Sequence, residues 1–257
     1  MTNKYRRARK KRKKMWPYLL SFFLLVVLGS GIGVYLAKPS LFSGLQFWKA
    51  KKTAVTTPSS SKKKKEKSDL PAVSTKDWQL ILVNRDNVKP ELNPQLTDVD
   101  AIKVDSRIVE PTRQFLEAAR KIAPEETLIS GYRSVAEQTE LYNERVAQLE
   151  AGGLSHEEAE KQVQTQVQVP GASEHQTGLA IDMSVEAGQS DELGLQLAAI
   201  APQYGFVLRY PDGKSNITGV NFENWHFRYV GVENAQYMAK HQLVLEEYIQ
   251  LLKKAGK

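Results

Sequence analysis

LAIDMSV, Leu179 to Val185, alternates: Leu179, Ile181, Met183 and Val185 fall on one side, Ala180, Asp182 and Ser184 on the other. A period of two marks a half-buried β-strand. WHFRYV, Trp225 to Val230, alternates too, with Trp225, Phe227 and Tyr229 opposite His226 and Arg228. If both strands share a sheet, Asp182 and His226 lie on its less apolar face and can point at one spot. Just upstream, SEHQTG (Ser173 to Gly178) places His175 ahead of a glycine that permits a turn. That imidazole can fold back over the same position.

The neighbouring segments set the fold class. Thr127–Ser130, Phe206–Tyr210 and WQLILV (Trp78–Val83) read as short strands. Ser106–Ile122 carries apolar residues at Ile108, Val109, Phe115, Leu116 and Ala119, close to helical spacing. Ser134 with Glu137, and Ser155 with Glu158, have the capping-box pattern of a helix start. The first of these helices should run to about Ala151, and Pro170–Gly171 should stop the second. Asp191–Tyr204 and Val232–Leu252 complete the helices. Short strands and helices mix without a regular strand–helix–strand beat, which predicts an α+β domain: a small antiparallel sheet flanked by helices.

Charge divides the chain. Over 257 residues the formal net charge is +7, but residues 1–67 hold 18 Lys plus Arg against one Glu. The other 190 residues hold 18 basic and 28 acidic side chains, so the expected globular part is acidic. Nucleic-acid binding would need clustered Lys and Arg on the folded domain itself, and is excluded on that ground. There is no cysteine, hence no disulfide, no thiolate ligand and no lipid-modified cysteine.

The N-terminal organisation is a basic cytoplasmic tail at 1–15 and a single transmembrane helix at 16–37. Trp16 to Ala37 is 22 residues without a formal charge, flanked by Trp16, Tyr18 and Tyr35. A span of about 20 apolar residues crosses the hydrocarbon core, and interfacial aromatics suit its ends. The run is longer than the roughly 7 to 15 residues of a cleaved signal peptide. Nine Lys or Arg in the first fourteen residues keep the N-terminus in the cytoplasm, so the rest of the chain should be extracytoplasmic. Residues 38–73, rich in Lys, Ser and Thr, read as a solvated linker without a core. The domain itself occupies 74–257.

Two imidazoles and a carboxylate supply three of the ligands that zinc takes at a catalytic site, leaving a position for water whose pKa falls to about 7. Glu223, three residues before His226, is placed to act as general base. His156 and His241 sit in polar helical stretches and read as structural or exposed. Glu174 adjoins a candidate ligand and reads as a supporting or solvent-facing carboxylate.

SGYRS (Ser130–Ser134), Gln138, PGASEHQTGLAID (Pro170–Asp182), RYP (Arg209–Pro211) and ENWHFRYVG (Glu223–Gly231) together resemble the VanY-type D-alanyl-D-alanine carboxypeptidase family. That family also includes L,D-carboxypeptidases of peptidoglycan stem peptides. The resemblance spans roughly residues 75 to 253 and implies a Hedgehog/D,D-peptidase-like zinc domain. It implies Zn2+ held by His175, Asp182 and His226, Glu223 as base, and Arg133 as the transition-state arginine. Contacts of Gln138 and Ser173 with substrate follow from it as well. Many members have proline where this chain has Asn224. Arg133 also makes physical sense alone, since a guanidinium offers two parallel hydrogen bonds to a developing oxyanion. Ser173 and Arg209 are candidates for gripping a terminal carboxylate, and Tyr132 for a pocket wall.

The expected function is removal of the C-terminal D-alanine from peptidoglycan stem peptides, by L,D-cleavage of tetrapeptides or D,D-cleavage of pentapeptides. The expected partners are those peptides and the membrane, with the chain a monomer. A catalytically inactive wall-binding module and a zinc D,D-endopeptidase are the competing readings.

Overall fold

The computed structural model describes residues 69–257. The expected basic tail, the expected transmembrane helix and all but the last residues of the expected linker lie outside them. Among the described residues no helix is long and apolar enough to cross a membrane.

A hairpin of β1 (Leu96–Val99) and β2 (Ile102–Asp105) leads through a 3-10 turn at Ser106–Ile108 into α1 (Val109–Ile122). Then follow β3 (Thr127–Ser130), α2 (Val135–Ala151), α3 (His156–Val163) and β4 (Ala180–Ser184). The rest is α4 (Asp191–Ile200), β5 (Phe206–Tyr210), α5 (Ser215–Thr218), β6 (Glu223–Tyr229), α6 (Val232–His241) and α7 (Leu245–Lys254). Four strands form an antiparallel sheet in the order β3-β4-β6-β5. The α+β class and its antiparallel sheet agree with expectation.

The sheet's apolar face makes the main core. Ile181 and Met183 of β4, Phe206 of β5 and Phe227 of β6 pack there against Phe115, Leu116 and Ala119 of α1. Their spacing puts the α1 residues on one stripe of that helix. The Phe115 ring stacks on Phe206 and meets Phe227 edge-on, with centroids 5.3 and 5.1 Å away. Burying each such side chain contributes about 1.5–3 kcal/mol. On the opposite face, Val207 joins a second core with Ala235 and Met238 of α6 and Leu245, Tyr248, Ile249 and Leu252 of α7. This face also carries Asp182, His226, Arg228 and Arg209. A third cluster, Tyr142, Val146, Ala159 and Val163, joins α2 to α3.

Both capping boxes form: Ser134 with Glu137 at α2, and Ser155 with Glu158 at α3. Four expectations change. WQLILV is not a strand; Trp78–Leu80 is a 3-10 turn, and the carbonyls of Gln79 and Ile81 accept hydrogen bonds from the buried Arg228 side chain. Those carbonyls serve a buried cation, not a ladder. α3 ends at Val163, seven residues before Pro170. The helix expected from Asp191 to Tyr204 changes to 3-10 geometry at Ala201, where Pro202 cannot donate to the helix ladder. The expected Val232–Leu252 helix is two helices, broken where Gln242 turns left-handed (φ 53°).

Candidate metal centre

Asp182 and His226 are direct partners in the antiparallel β4–β6 ladder. Their side chains leave the same face of the sheet, and His226 Nδ1 lies 3.0 Å from Asp182 Oδ1. His175 arrives from a 3-10 turn, Glu174–Thr177, where the Ser173 hydroxyl accepts from the His175 backbone N–H. The turn ends at Gly178, left-handed at φ 67°; a Cβ there would sit 2.8 Å from the Asp105 amide nitrogen. Only glycine combines that backbone with that approach. The chain thus reverses tightly enough to place His175 Nε2 3.4 Å from Asp182 Oδ2. The two imidazoles stand nearly perpendicular, 85° between planes and 5.0 Å between centroids. One ligand atom from each of His175, Asp182 and His226 lies within 4.8 Å of the others.

The donor set fits zinc: two borderline nitrogen donors and one carboxylate, all buried or nearly so. Asp182 is the most open side chain, 15% exposed against 6% for each imidazole, so the approach lies on its side. His175 Nδ1 lies 2.6 Å from the Gly131 carbonyl, which fixes that ring with Nε2 turned to the cluster. Asp182 Oδ1 and His226 Nε2 are buried without a hydrogen-bond partner, which leaves the carboxylate oxygen lone pairs to offer a cation.

Glu223 opens β6, with Oε2 3.8 Å from His226 Nδ1. Burial pushes its carboxyl up to about 8, reinforced by the Asp182 and Glu174 charges and opposed by His226 and Arg133. Burial disfavours the charged form of His226, but the Asp182 and Glu174 carboxylates outweigh it and hold the ring at about 9. Burial alone would raise Asp182; the His175, His226 and Arg133 charges bring it to about 2. The acidic cluster member is therefore ionised, ready to meet a cation.

Arg133 follows the end of β3. Its Nη1 donates to Gln138 Oε1 (2.8 Å) and its Nη2 to Ser130 Oγ (3.0 Å), while its backbone N–H donates to the His175 carbonyl. Gln138 in turn donates through Nε2 to the Gln168 carbonyl (2.6 Å). Ser130 is the ladder partner of Asp182, so the guanidinium is anchored beside the cluster. Gln138 thus holds Arg133, and Ser173 holds the His175 turn.

Arg209 departs from expectation. It is 1% exposed; Nε donates to Glu174 Oε1, and Nη1 and Nη2 donate to the Glu246 carboxylate. An arginine spent on two buried carboxylates has no fork left for a substrate, so its expected contact with a terminal carboxylate is corrected to a structural one. Tyr132 is likewise drawn away, its hydroxyl donating to Glu91 Oε1 at 3.0 Å. Tyr210 comes closer: a register shift between Leu208 and Tyr210 brings its ring to 4.9 Å from that of His226. Asn224 donates to Asp191 Oδ1 and the Gln189 carbonyl, tying the start of β6 to α4. His156 and His241 are far from this centre in role, paired with Glu150 and Asp69.

Sequence reasoning missed the partners behind the cluster. The Gly131 carbonyl is backbone and has no side-chain signal. Glu174, expected as supporting or solvent-facing, is fully buried with Arg209 and Arg228. Arg228 could have been found, since it alternates in step with His226.

A D-alanyl-D-alanine carboxypeptidase of Enterococcus faecalis is 38% identical over 177 residues, 67% of this chain and 66% of that protein. The bifunctional D-Ala-D-Ala dipeptidase and carboxypeptidase VanXYC of Enterococcus gallinarum is 40% identical over 47% of this chain and 64% of its own length. The chain thus spans slightly under two thirds of these curated relatives. Among solved structures, a variant of the D,D-pentapeptidase VanY in complex with Zn(II) matches with a TM-score of 0.63 at 38% identity, covering 67% of this chain and 99% of that one. The LD-carboxypeptidase LdcB matches at 0.56 and 31%, covering 66% and 84%. The family model of the VanY D-alanyl-D-alanine carboxypeptidases matches residues 101–232, which hold every residue of the cluster, and to that family this chain belongs.

Proposed function

We propose that the chain is a zinc-dependent carboxypeptidase that removes the C-terminal D-alanine from peptidoglycan stem peptides. The observation that carries the reading is the convergence of His175, Asp182 and His226 with the Glu223 carboxylate beside them. VanYB, 38% identical, has been solved with D-alanine-D-alanine, and LdcB at 31% is an LD-carboxypeptidase. These supply the substrate class; the choice between D,D- and L,D-cleavage rests on pocket shape.

His175 Nε2, a carboxylate oxygen of Asp182 and His226 Nδ1 would hold the metal. When bound, zinc lowers the pKa of a coordinated water and polarises a carbonyl. Glu223 Oε2 takes the proton from the attacking water and passes it to the departing amino group, which leaves as D-alanine while the shortened peptide gains a carboxylate. A carboxyl raised to about 8 takes that proton more readily than an ordinary carboxylate, and lying near neutrality it can still give the proton up. Arg133, braced by Gln138 and Ser130, offers its remaining N–H donors to the oxygen where charge develops.

The reading of an inactive wall-binding module requires a missing ligand or base, and all four groups are present. The apolar span 16–37 supports a membrane-tethered enzyme acting outside the cell, reaching its substrate across the Lys-rich linker. Glu223→Gln tests the catalytic reading: zinc content should match the parent while D-alanine release from a defined stem peptide disappears. Release at the parent rate would refute it.

A further inference from the structure

Glu174 lies beneath the cluster with its side chain wholly buried. Its two oxygens have different fates. Oε1 accepts hydrogen bonds from Arg209 Nε at 2.7 Å and from Arg228 Nη1 at 2.9 Å. Oε2 has no hydrogen-bond partner; it faces His226 Nε2 at 3.7 Å, and that nitrogen is also partnerless. A counter-ion for two arginines alone would explain Oε1 and leave Oε2 without purpose.

We propose that Glu174 is a positioning residue of the metal centre, its Oε2 accepting the Nε2 proton of His226 so that Nδ1 of the same ring is turned to the metal. The inference rests on the zinc reading above. His226 Nδ1 already faces Asp182 and Glu223, so the ring presents one nitrogen to the cluster and the other to Glu174. Closing 3.7 Å to a hydrogen bond requires a movement of only about 0.5–1 Å. His175 has the matching arrangement with a weaker acceptor, the Gly131 carbonyl behind its Nδ1. A carboxylate acceptor does more than a carbonyl, because it raises the basicity of the ligating nitrogen as well as orienting the ring.

The carboxylate is fixed from several sides. Arg209, on β5, is itself gripped by Glu246 of α7, which also accepts from Asn84 Nδ2 at 3.0 Å. Arg228, on β6, donates onward to the carbonyls of Gln79 and Ile81. Two arginines and two glutamates thus connect the segment from Gln79 to Asn84, two strands and the last helix to one imidazole.

The chain has four histidines, so 15N-histidine labelling of the zinc-loaded full-length protein gives a sparse spectrum. Long-range 1H–15N correlation should find His226 metallated at Nδ1, with a downfield, slowly exchanging proton on Nε2. In Glu174→Gln that proton should move upfield and exchange faster, and chelator competition should report zinc affinity weakened about 10- to 100-fold. The His175 Nδ1 proton should stay in place. If Glu174→Gln does not fold, the parent spectrum still decides, since ligation through Nε2 of His226 overturns the proposal. A folded Glu174→Gln with unchanged His226 signals and parent affinity overturns it too. A parent protein that takes up no zinc refutes the zinc reading and the inference together.

Discussion

Asp182 and His226 face each other across the β4–β6 ladder, and that single register places a carboxylate oxygen 3.0 Å from an imidazole nitrogen. Because side chains alternate along a strand, a slip of β6 by one residue against β4 would send His226 into the apolar core and away from Asp182. The same register puts Ile181 opposite Phe227 on the other face, where both are fully buried. Burial of the core and assembly of the site are therefore one structural event.

Arg133→Lys keeps the positive charge but loses the fork that reaches both Gln138 and Ser130. Turnover should fall about 10²- to 10³-fold, as when an oxyanion donor is removed. Steady-state kinetics should place most of that loss in kcat, with zinc content unchanged. A variant with the parent kcat would remove Arg133 from the reaction.

Arg209→Met separates a buried structural arginine from a substrate contact. It leaves Glu174 and Glu246 without their shared cation, and breaking such a buried pair costs about 3–5 kcal/mol. Denaturant unfolding should therefore show a large loss of stability. Parent stability with a raised KM would instead restore Arg209 as a carboxylate grip.

Glu126 gives a pH-dependent stability with a definite sign. Both its carboxyl oxygens are buried without partners, and burial raises the group from 4.5 to about 7, with Arg120 opposing. The folded protein holds this proton more tightly than the unfolded chain. Its stabilising contribution is complete below pH 4.5 and is lost as pH rises through 7. Glu126→Gln should flatten the decline in thermal stability over that window and be the more stable protein at pH 8. Parallel melting profiles for the two proteins would contradict this.

Much of the site was legible because two strands announce themselves by alternation. Leu179–Val185 and Trp225–Val230 each separate an apolar side from one bearing Asp182 or His226, and the capping boxes at Ser134 and Ser155 mark helix starts directly. What the sequence concealed depends on tertiary partners. WQLILV has the composition of a strand, yet its carbonyls are claimed by Arg228, which is 149 residues away from Gln79 in sequence. The β1–β2 hairpin turns at Asp100 in a left-handed conformation, without the Asn-Gly or Asp-Gly pair that marks such turns. Arg209 resembles a substrate anchor until Glu246, from the last helix, is seen beneath it.

The most direct measurement is D-alanine release from a defined stem peptide by the full-length protein, first stripped of metal and then titrated with zinc. Activity should fall to background on stripping and return in proportion to added zinc, saturating at one ion per chain. A rigorously stripped protein that still releases D-alanine at the parent rate would contradict the assignment of His175, Asp182 and His226 as the centre of the reaction.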